Sequence, residues 1–224
     1  MKTSSSVLPL ILLASLLIAP SITRGQQKQN LVIQQKSTTP ALSLLIGGSY
    51  FGQKFADLNG VYTTLEQNLS LPAGSDFKNT YSVLAGLRFS PSSTQAVQGE
   101  FGGDVLKSVK DNSTNYLQMY YGGASYLLSL PIQSASIYGG GGVGYIWLNT
   151  QRTYSSRLGV AQVNAQLAQI HALFGLEFFD QSGVSFSLEG RYNYASTVRP
   201  QRADLNFTMK GMSAGIQIGV PIIM

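Results

Sequence analysis

From Met212 to Met224 the sequence alternates without a break. Met212, Ala214, Ile216, Ile218, Val220, Ile222 and Met224 form one wholly apolar face, and Ser213, Gly215, Gln217, Gly219 and Pro221 form the other. A period of two is the signature of extended chain, whose side chains point to opposite faces in turn. A half-buried strand of a soluble protein rarely keeps this up for so long. A tilted strand that crosses a bilayer needs about 9–11 residues, and this segment supplies them with one face fit for lipid.

The same period recurs upstream as soon as Pro40 is passed. Eight segments are predicted as strands: Ala41 to Gln53, Thr80 to Ser90, Ala96 to Leu106, Tyr116 to Leu130, Ser134 to Asn149, Val163 to Phe179, Val184 to Ala195, and the final one. In the second, Tyr81, Val83, Ala85, Leu87 and Phe89 oppose Ser82, Gly86, Arg88 and Ser90. In the third, Val97, Phe101 and Val105 oppose Gln98, Glu100 and Asp104. The sixth sets Ile170, Ala172, Phe174, Leu176 and Phe178 against Gln169, His171, Gly175 and Glu177. The seventh sets Phe186, Leu188, Tyr192 and Tyr194 against Ser185, Ser187, Glu189, Arg191 and Asn193. The fourth and fifth are rich in Gly and Tyr and leave their faces open, and ten strands remain possible if Gly60–Ser70 pairs as a hairpin.

Connection lengths carry a second signal. Short turns follow strands two, four and six, at Pro91–Thr94, Pro131–Gln133 and Asp180–Gly183, and longer connections follow the others, the first from Lys54 to Asn79. Short periplasmic turns and longer external loops are the pattern of an outer-membrane β-barrel. Composition agrees: 11% of residues are charged against roughly 25% in an ordinary soluble chain. Tyr120, Tyr121, Tyr126, Tyr145, Trp147, Tyr192 and Tyr194 fit aromatic girdles, with some of them filling the lumen.

Residues 1–25 read as a secretory signal peptide: Lys2, an apolar stretch from Val7 to Ile18, then Pro20, with cleavage after Ser21 or Gly25. Residues 26–40 read as a polar, Gln-rich periplasmic lead-in, and residues 41–224 as the barrel domain. The formal charge of +5 falls to +3 (5 − 2) once Lys2 and Arg24 are discounted. No basic run remains, so nucleic acid is not an expected partner. There is no cysteine, which excludes disulfides, a lipoprotein anchor and thiolate metal sites. The sequons at Asn68, Asn112 and Asn206 are then chance matches in polar loops.

Arg88, Glu100, Glu177, Glu189 and Arg191 fall on the polar faces of their strands. Lipid rejects such groups, since Arg at the bilayer midplane costs about 2–4 kcal/mol, so they are expected inside as a lumen polar network. Eight strands leave a bore that side chains can fill, and charges of both signs fit a plug better than a selective pore. No catalytic, metal or cofactor site is expected. His171 is the single histidine; a nucleophilic serine paired with it would stand at 169, at 173 or on a neighbouring strand, positions 169 and 173 are Gln and Leu, and a buried or rim histidine satisfied by its neighbours is expected. The external connections hold Asp57, Asp76, Asp111 and Asp204 but no histidine, so an aspartate–histidine protease is not expected. Lys54, Lys78, Lys107, Lys110, Arg152, Arg157, Arg199 and Arg202 are expected in the external loops. There they are ordinary solvated charge, or contacts to lipopolysaccharide phosphates or an anionic partner.

The segments Leu87-Arg88-Phe89-Ser90 before a Pro-Ser turn, Ser187-Leu188-Glu189-Gly190-Arg191-Tyr192 and the final strand together resemble the small bacterial outer-membrane β-barrel superfamily. That superfamily includes the OmpA barrel domain, OmpX and the opacity-type proteins. The resemblance implies an all-β fold: an eight-stranded antiparallel up-and-down transmembrane β-barrel preceded by a signal peptide. It implies a Gram-negative outer membrane, insertion by the barrel-assembly machinery, and outer-membrane lipid and lipopolysaccharide as neighbours. It also implies a structural or surface-adhesive role through the external loops, with a host or surface ligand. A narrow porin-like channel and a lipid-modifying enzyme are the alternatives. The chain departs from the family in ending on Met224 instead of an aromatic residue, and no peptidoglycan-binding domain follows.

Overall fold

The structure, a computed structural model, describes residues 41–77, 80–110, 113–154, 160–198 and 206–222. The expected signal peptide and lead-in, and Met224, lie outside the described residues. Eight strands follow in order: β1 (Ala41–Lys54), β2 (Thr80–Ser92), β3 (Gln95–Lys110), β4 (Ser113–Ile132), β5 (Ala135–Tyr154), β6 (Val160–Phe179), β7 (Ser185–Thr197) and β8 (Thr208–Ile222). One helix, α1 (Ala56–Asn68), stands between β1 and β2. Each strand pairs antiparallel with its neighbour in sequence, and β8 pairs with β1, closing the barrel. Among the described residues the strand count is eight, and Gly60 to Asn68 lies in α1, with Leu69 and Ser70 in the turn after it, not in a hairpin.

The predicted faces hold through the membrane band. Val83, Phe101, Ile170, Phe174, Met212, Ile216 and Ile218 are exposed on the outside, while Gln98, Asp104, Ser187, Asn193 and Gln217 are buried within. The two ambiguous strands are resolved by closure. On β4, Tyr126, Leu128 and Leu130 face out, and Tyr121, Ser125 and Leu127 face in. Tyr50, Tyr81, Tyr120, Trp147, Tyr192 and Tyr194 are exposed on the outside, in the halves of their strands away from the tight turns, as an interfacial aromatic belt requires. The tight turns at Ser92–Gln95, Ile132–Ala135 and Phe179–Ser185 mark the periplasmic end.

The external end departs from the expected loops. β4, β5 and β6 each run for 20 residues, roughly 65 Å of extended chain at about 3.3 Å per residue. Tilted by about 45°, such a strand stands nearly twice the height of the apolar band of about 25 Å. The segments expected as long connections after strands three and five are therefore mostly strand, with β3 and β4 still paired at Lys110 and Ser113. Above the aromatic belt the two faces exchange character. Inward positions become apolar: Leu117, Met119, Ile146, Leu148, Val163 and Leu167 are all buried. Outward positions become polar and line up across the three strands, with Tyr120 beside Trp147 beside Gln166, Gln118 beside Asn149 beside Asn164, and Tyr116 beside Gln151 beside Gln162.

The apolar interior of this upper section exists because α1 fills it. Leu58, Val61, Tyr62 and Leu65 recur at helical spacing and pack with Phe55 and Phe77 into the ring formed by Leu117, Met119, Ile146, Leu148, Val163, Leu167 and Met209. The result is an ordinary hydrophobic core built inside the barrel mouth.

Candidate functional site

Within the membrane band the lumen is crossed by one connected polar network. Arg88 reaches it from β2, Gln98 and Glu100 from β3, Tyr138 from β5, Glu177 from β6, and Glu189 and Arg191 from β7. Arg88 Nη1 donates to Glu177 Oε1 at 2.7 Å, and its Nε donates to Gln98 Oε1 at 3.0 Å. Gln98 passes the chain on, donating from Nε2 to Glu100 Oε2 at 3.0 Å. Arg191 binds Glu100 through both terminal nitrogens, Nη2 at 2.9 Å from Oε2, and donates from Nη2 to Glu189 Oε1 at 2.7 Å. Tyr138 donates to the other Glu189 oxygen at 3.1 Å, and the Arg88 guanidinium lies over the Tyr138 ring at 5.2 Å. The five charged residues singled out in the sequence are thus all buried and all members of this circuit. Each charge has an opposite partner, which offsets the several kcal/mol that burying an ion costs.

Two side chains join the lumen in a way the sequence did not announce. His171 Nε2 lies 2.7 Å from Ser125 Oγ, although β4 and β6 are separated by β5. The contact passes over Gly142, where an added Cβ would meet His171 Nε2 at 2.6 Å. The Gly-rich run of β5 is therefore what lets a β6 histidine reach a β4 serine. Both residues are buried, and His171 Nδ1 has no partner. A serine–histidine nucleophile works when a third group orients the histidine; among the described residues His171 Nδ1 has no hydrogen-bond partner for that role.

The external mouth is closed a second time. Arg152, expected in a solvated loop, is instead an inward residue of β5 with 1% of its surface exposed. The inward parity of Ile146, Leu148 and Thr150 carries it there. Its Nη1 donates to Glu66 Oε1 of α1 at 2.5 Å, its Nε to Asn115 Oδ1 at 2.9 Å, and its Nη2 to the Ser75 carbonyl at 2.5 Å. Tyr154 donates to the same Glu66 oxygen at 2.6 Å, and the guanidinium lies 4.5 Å above the Tyr62 ring. Tyr62 in turn shares a 2.8 Å hydrogen bond with Thr150, and burial pushes its hydroxyl up to about 12. Gly74 sits where a Cβ would strike Arg152 Cδ at 2.5 Å, so the loop after α1 lies flat on the arginine. Asp57 fixes the start of the helix, accepting from the Thr208 hydroxyl at 2.5 Å. Neither seal was fully visible in the sequence. A stripe of Leu58, Val61, Tyr62, Leu65 and Glu66 at helical spacing was the signal for α1.

Of the other external cations, Lys107 is an exposed residue of β3, Lys54 and Lys110 close β1 and β3, and Lys78, Arg157, Arg199 and Arg202 lie outside the described residues. Asp57 and Asp76 are exposed, while Asp111 and Asp204 also lie outside.

No protein-family model matches the chain, and no curated protein matches it. Solved structures share its fold. Ail, the attachment invasion locus protein of Yersinia pestis, is 15% identical with a TM-score of 0.51, the match covering 82% of this chain and 99% of Ail. Neisserial surface protein A is 11% identical with a TM-score of 0.50, covering 79% of this chain and 96% of that one. The chain has the architecture of the small eight-stranded barrels of the bacterial outer membrane.

Proposed function

We propose that this outer-membrane barrel is a closed surface protein, structural or adhesive, that acts through its external face and not through its lumen. The observation that carries the reading is the pair of seals in series: the Arg88–Glu177 and Arg191–Glu100–Glu189 network in the membrane band, and α1 locked by Arg152 and Glu66 in the mouth. A conducting barrel needs a continuous wet path, and a hydrophobic core fills the mouth where that path would open. What remains available to a partner is the external wall of β4–β6 and the hairpin tips. The Yersinia neighbour carries the name of an attachment locus, a role of the same kind.

The test is display of the full chain on a Gram-negative cell that lacks it, scored for attachment to epithelial cells and to plain surfaces. The expected result is a gain in attachment. Shortening the β3–β4 and β5–β6 hairpins above the aromatic belt should abolish the gain and leave membrane insertion intact. A gain in small-solute uptake with no change in attachment supports the channel alternative and overturns this reading.

A further inference from the structure

The dipeptide Asn59-Gly60 stands near the start of α1. In most chains it is a turn signal, and glycine inside a helix costs stability relative to alanine. Packing does not ask for it here, because a Cβ added to Gly60 would meet nothing within 4 Å. The two threonines that follow weaken the same stretch of helix. Thr63 Oγ1 donates to the Asn59 carbonyl at 3.0 Å and Thr64 Oγ1 to the Gly60 carbonyl at 3.1 Å, bonds that compete with the helix's own. A local rule broken with no packing gain points to function.

The Asn59 carboxamide ties the segment after α1 back to the helix. Its Oδ1 accepts from the Phe77 backbone N–H at 2.9 Å, and its Nδ2 donates to the Phe77 carbonyl at 3.3 Å. An amide serves both partners; a carboxylate has no donor to offer. Phe77 carries the tie into the mouth, its ring 5.2 Å from the Tyr62 ring and 5.4 Å from the Arg152 guanidinium.

We propose that Asn59-Gly60 is a deamidation site guarded by the docked helix, and that its reaction unties residues 69–77 irreversibly. Asparagine is among the thermolabile side chains, and glycine after it leaves the attacking nitrogen without a side chain to shield it. The Gly60 backbone nitrogen attacks Asn59 Cγ and gives its proton to solvent. The new N–C bond closes a succinimide ring, the Cγ–Nδ2 bond breaks, and ammonia leaves. Water then opens the ring at either carbonyl, giving aspartate or isoaspartate, so one water is consumed, one ammonia is released and nothing is oxidised or reduced. The formed helix blocks ring closure twice. It engages the Gly60 N–H with the carbonyl four residues back, and the carboxamide is held on Phe77. Once formed, aspartate has lost the donor to the Phe77 carbonyl, and isoaspartate adds a backbone carbon through which the helix cannot continue. Breaking the Glu66–Arg152 pair is reversible; this step is not.

Full-length protein folded in detergent micelles is held in mildly alkaline buffer, and conversion of Asn59 is followed by peptide mass mapping. The urea-unfolded chain sets the unguarded rate. Wild type should convert severalfold more slowly than the unfolded chain, and Glu66→Ala, which frees the helix, should approach the unfolded rate. Gly60→Ala in the Glu66→Ala background should slow conversion strongly; an unchanged rate there overturns ring closure through Gly60. Asn59→Asp should open residues 69–77 to limited proteolysis while cold and boiled SDS gels still differ. Should that variant fail to fold, aged wild type gives the same reading, its converted fraction being cut in residues 69–77 before its unconverted fraction. Equal conversion in wild type and Glu66→Ala overturns the guard, and full protection of residues 69–77 in the converted chain overturns the tie. Attachment enters neither readout, so this test and the proposed surface role fail separately.

Discussion

Arg191 is the residue on which the lumen circuit turns, because it bridges two carboxylates, Glu100 and Glu189. Arg191→Ala leaves both buried without a cation, and breaking a buried pair costs about 3–5 kcal/mol. The expected outcome is a fall of that size in urea-unfolding free energy, largely recovered by adding Glu100→Gln. An unchanged midpoint would mean that the circuit contributes nothing to stability. Gly142 is a second sensitive position: Gly142→Ala would drive its Cβ against the Ala124 carbonyl oxygen and the His171 ring, separating His171 from Ser125 and destabilising the barrel by about 1–3 kcal/mol, the usual range for overpacking. The same unfolding curves, with the His171 ring signals read by NMR, check it. Alternation alone was enough to locate Arg88, Glu100, Glu177, Glu189 and Arg191, because one parity carries through each strand. It could not give the Ser125–His171 contact, which depends on the register of three strands and on a glycine between them.

At the scale of the element, α1 is held by packing and by one buried ion pair. Its own sequence is a poor helix former, with Gly60 and the pair Thr63–Thr64 in its middle, so most of its stability comes from the barrel wall. Glu66→Ala removes the partner of Arg152 and of Tyr154 together. Limited proteolysis should then cut within residues 56–77, which wild type protects, while the strands stay resistant. Equal protection in both would contradict the latch. Alkaline pH should release the helix as well. Tyr62 sits near 12 when docked and near 10 when free, so the docked state favours the protonated hydroxyl. Its contribution is complete below pH 10 and lost as pH rises to 12, by roughly 2–3 kcal/mol at about 1.4 kcal/mol per pH unit. Hydrogen exchange of the α1 amides across that window reads the effect, and Tyr62→Phe should shrink the step, the Tyr154 hydroxyl on Glu66 being raised by burial as well. The helix is not legible in the sequence because residues 56–68 carry no strand period and have the polarity of a loop. Its stripe is short and interrupted, and the wall that makes it useful lies far away in sequence.

The molecule as a whole is two sections stacked along one set of strands. In the membrane band the outside is apolar and the inside polar; above it, the outside is polar and the inside apolar. This exchange explains why β4 and β5 resisted assignment from sequence: their inward face changes from Ser125 and Gly123 to Met119 and Leu117 within one strand. It also explains why Arg152 was misplaced, since a cation beyond the membrane band is expected in solvent unless α1 is known to cover it. The eight strands and their order were legible because lipid enforces one rule over the whole outer surface. The mouth was not, because there water stands outside and the partner inside is the chain itself. A barrel of this kind should migrate faster on cold than on boiled SDS gels, and replacing residues 55–79 by a short linker should leave that shift intact. Loss of the shift would make α1 part of the barrel's stability and not a separate seal.

Conductance of the full-length protein in planar bilayers tests the account most directly. Wild type should show no unitary steps. Deleting the helix alone should leave it silent, because the lumen circuit remains, and steps should appear only when Arg191→Ala and Glu100→Ala are added to that deletion. Stable single-channel steps from the wild-type protein would contradict a lumen that is sealed twice.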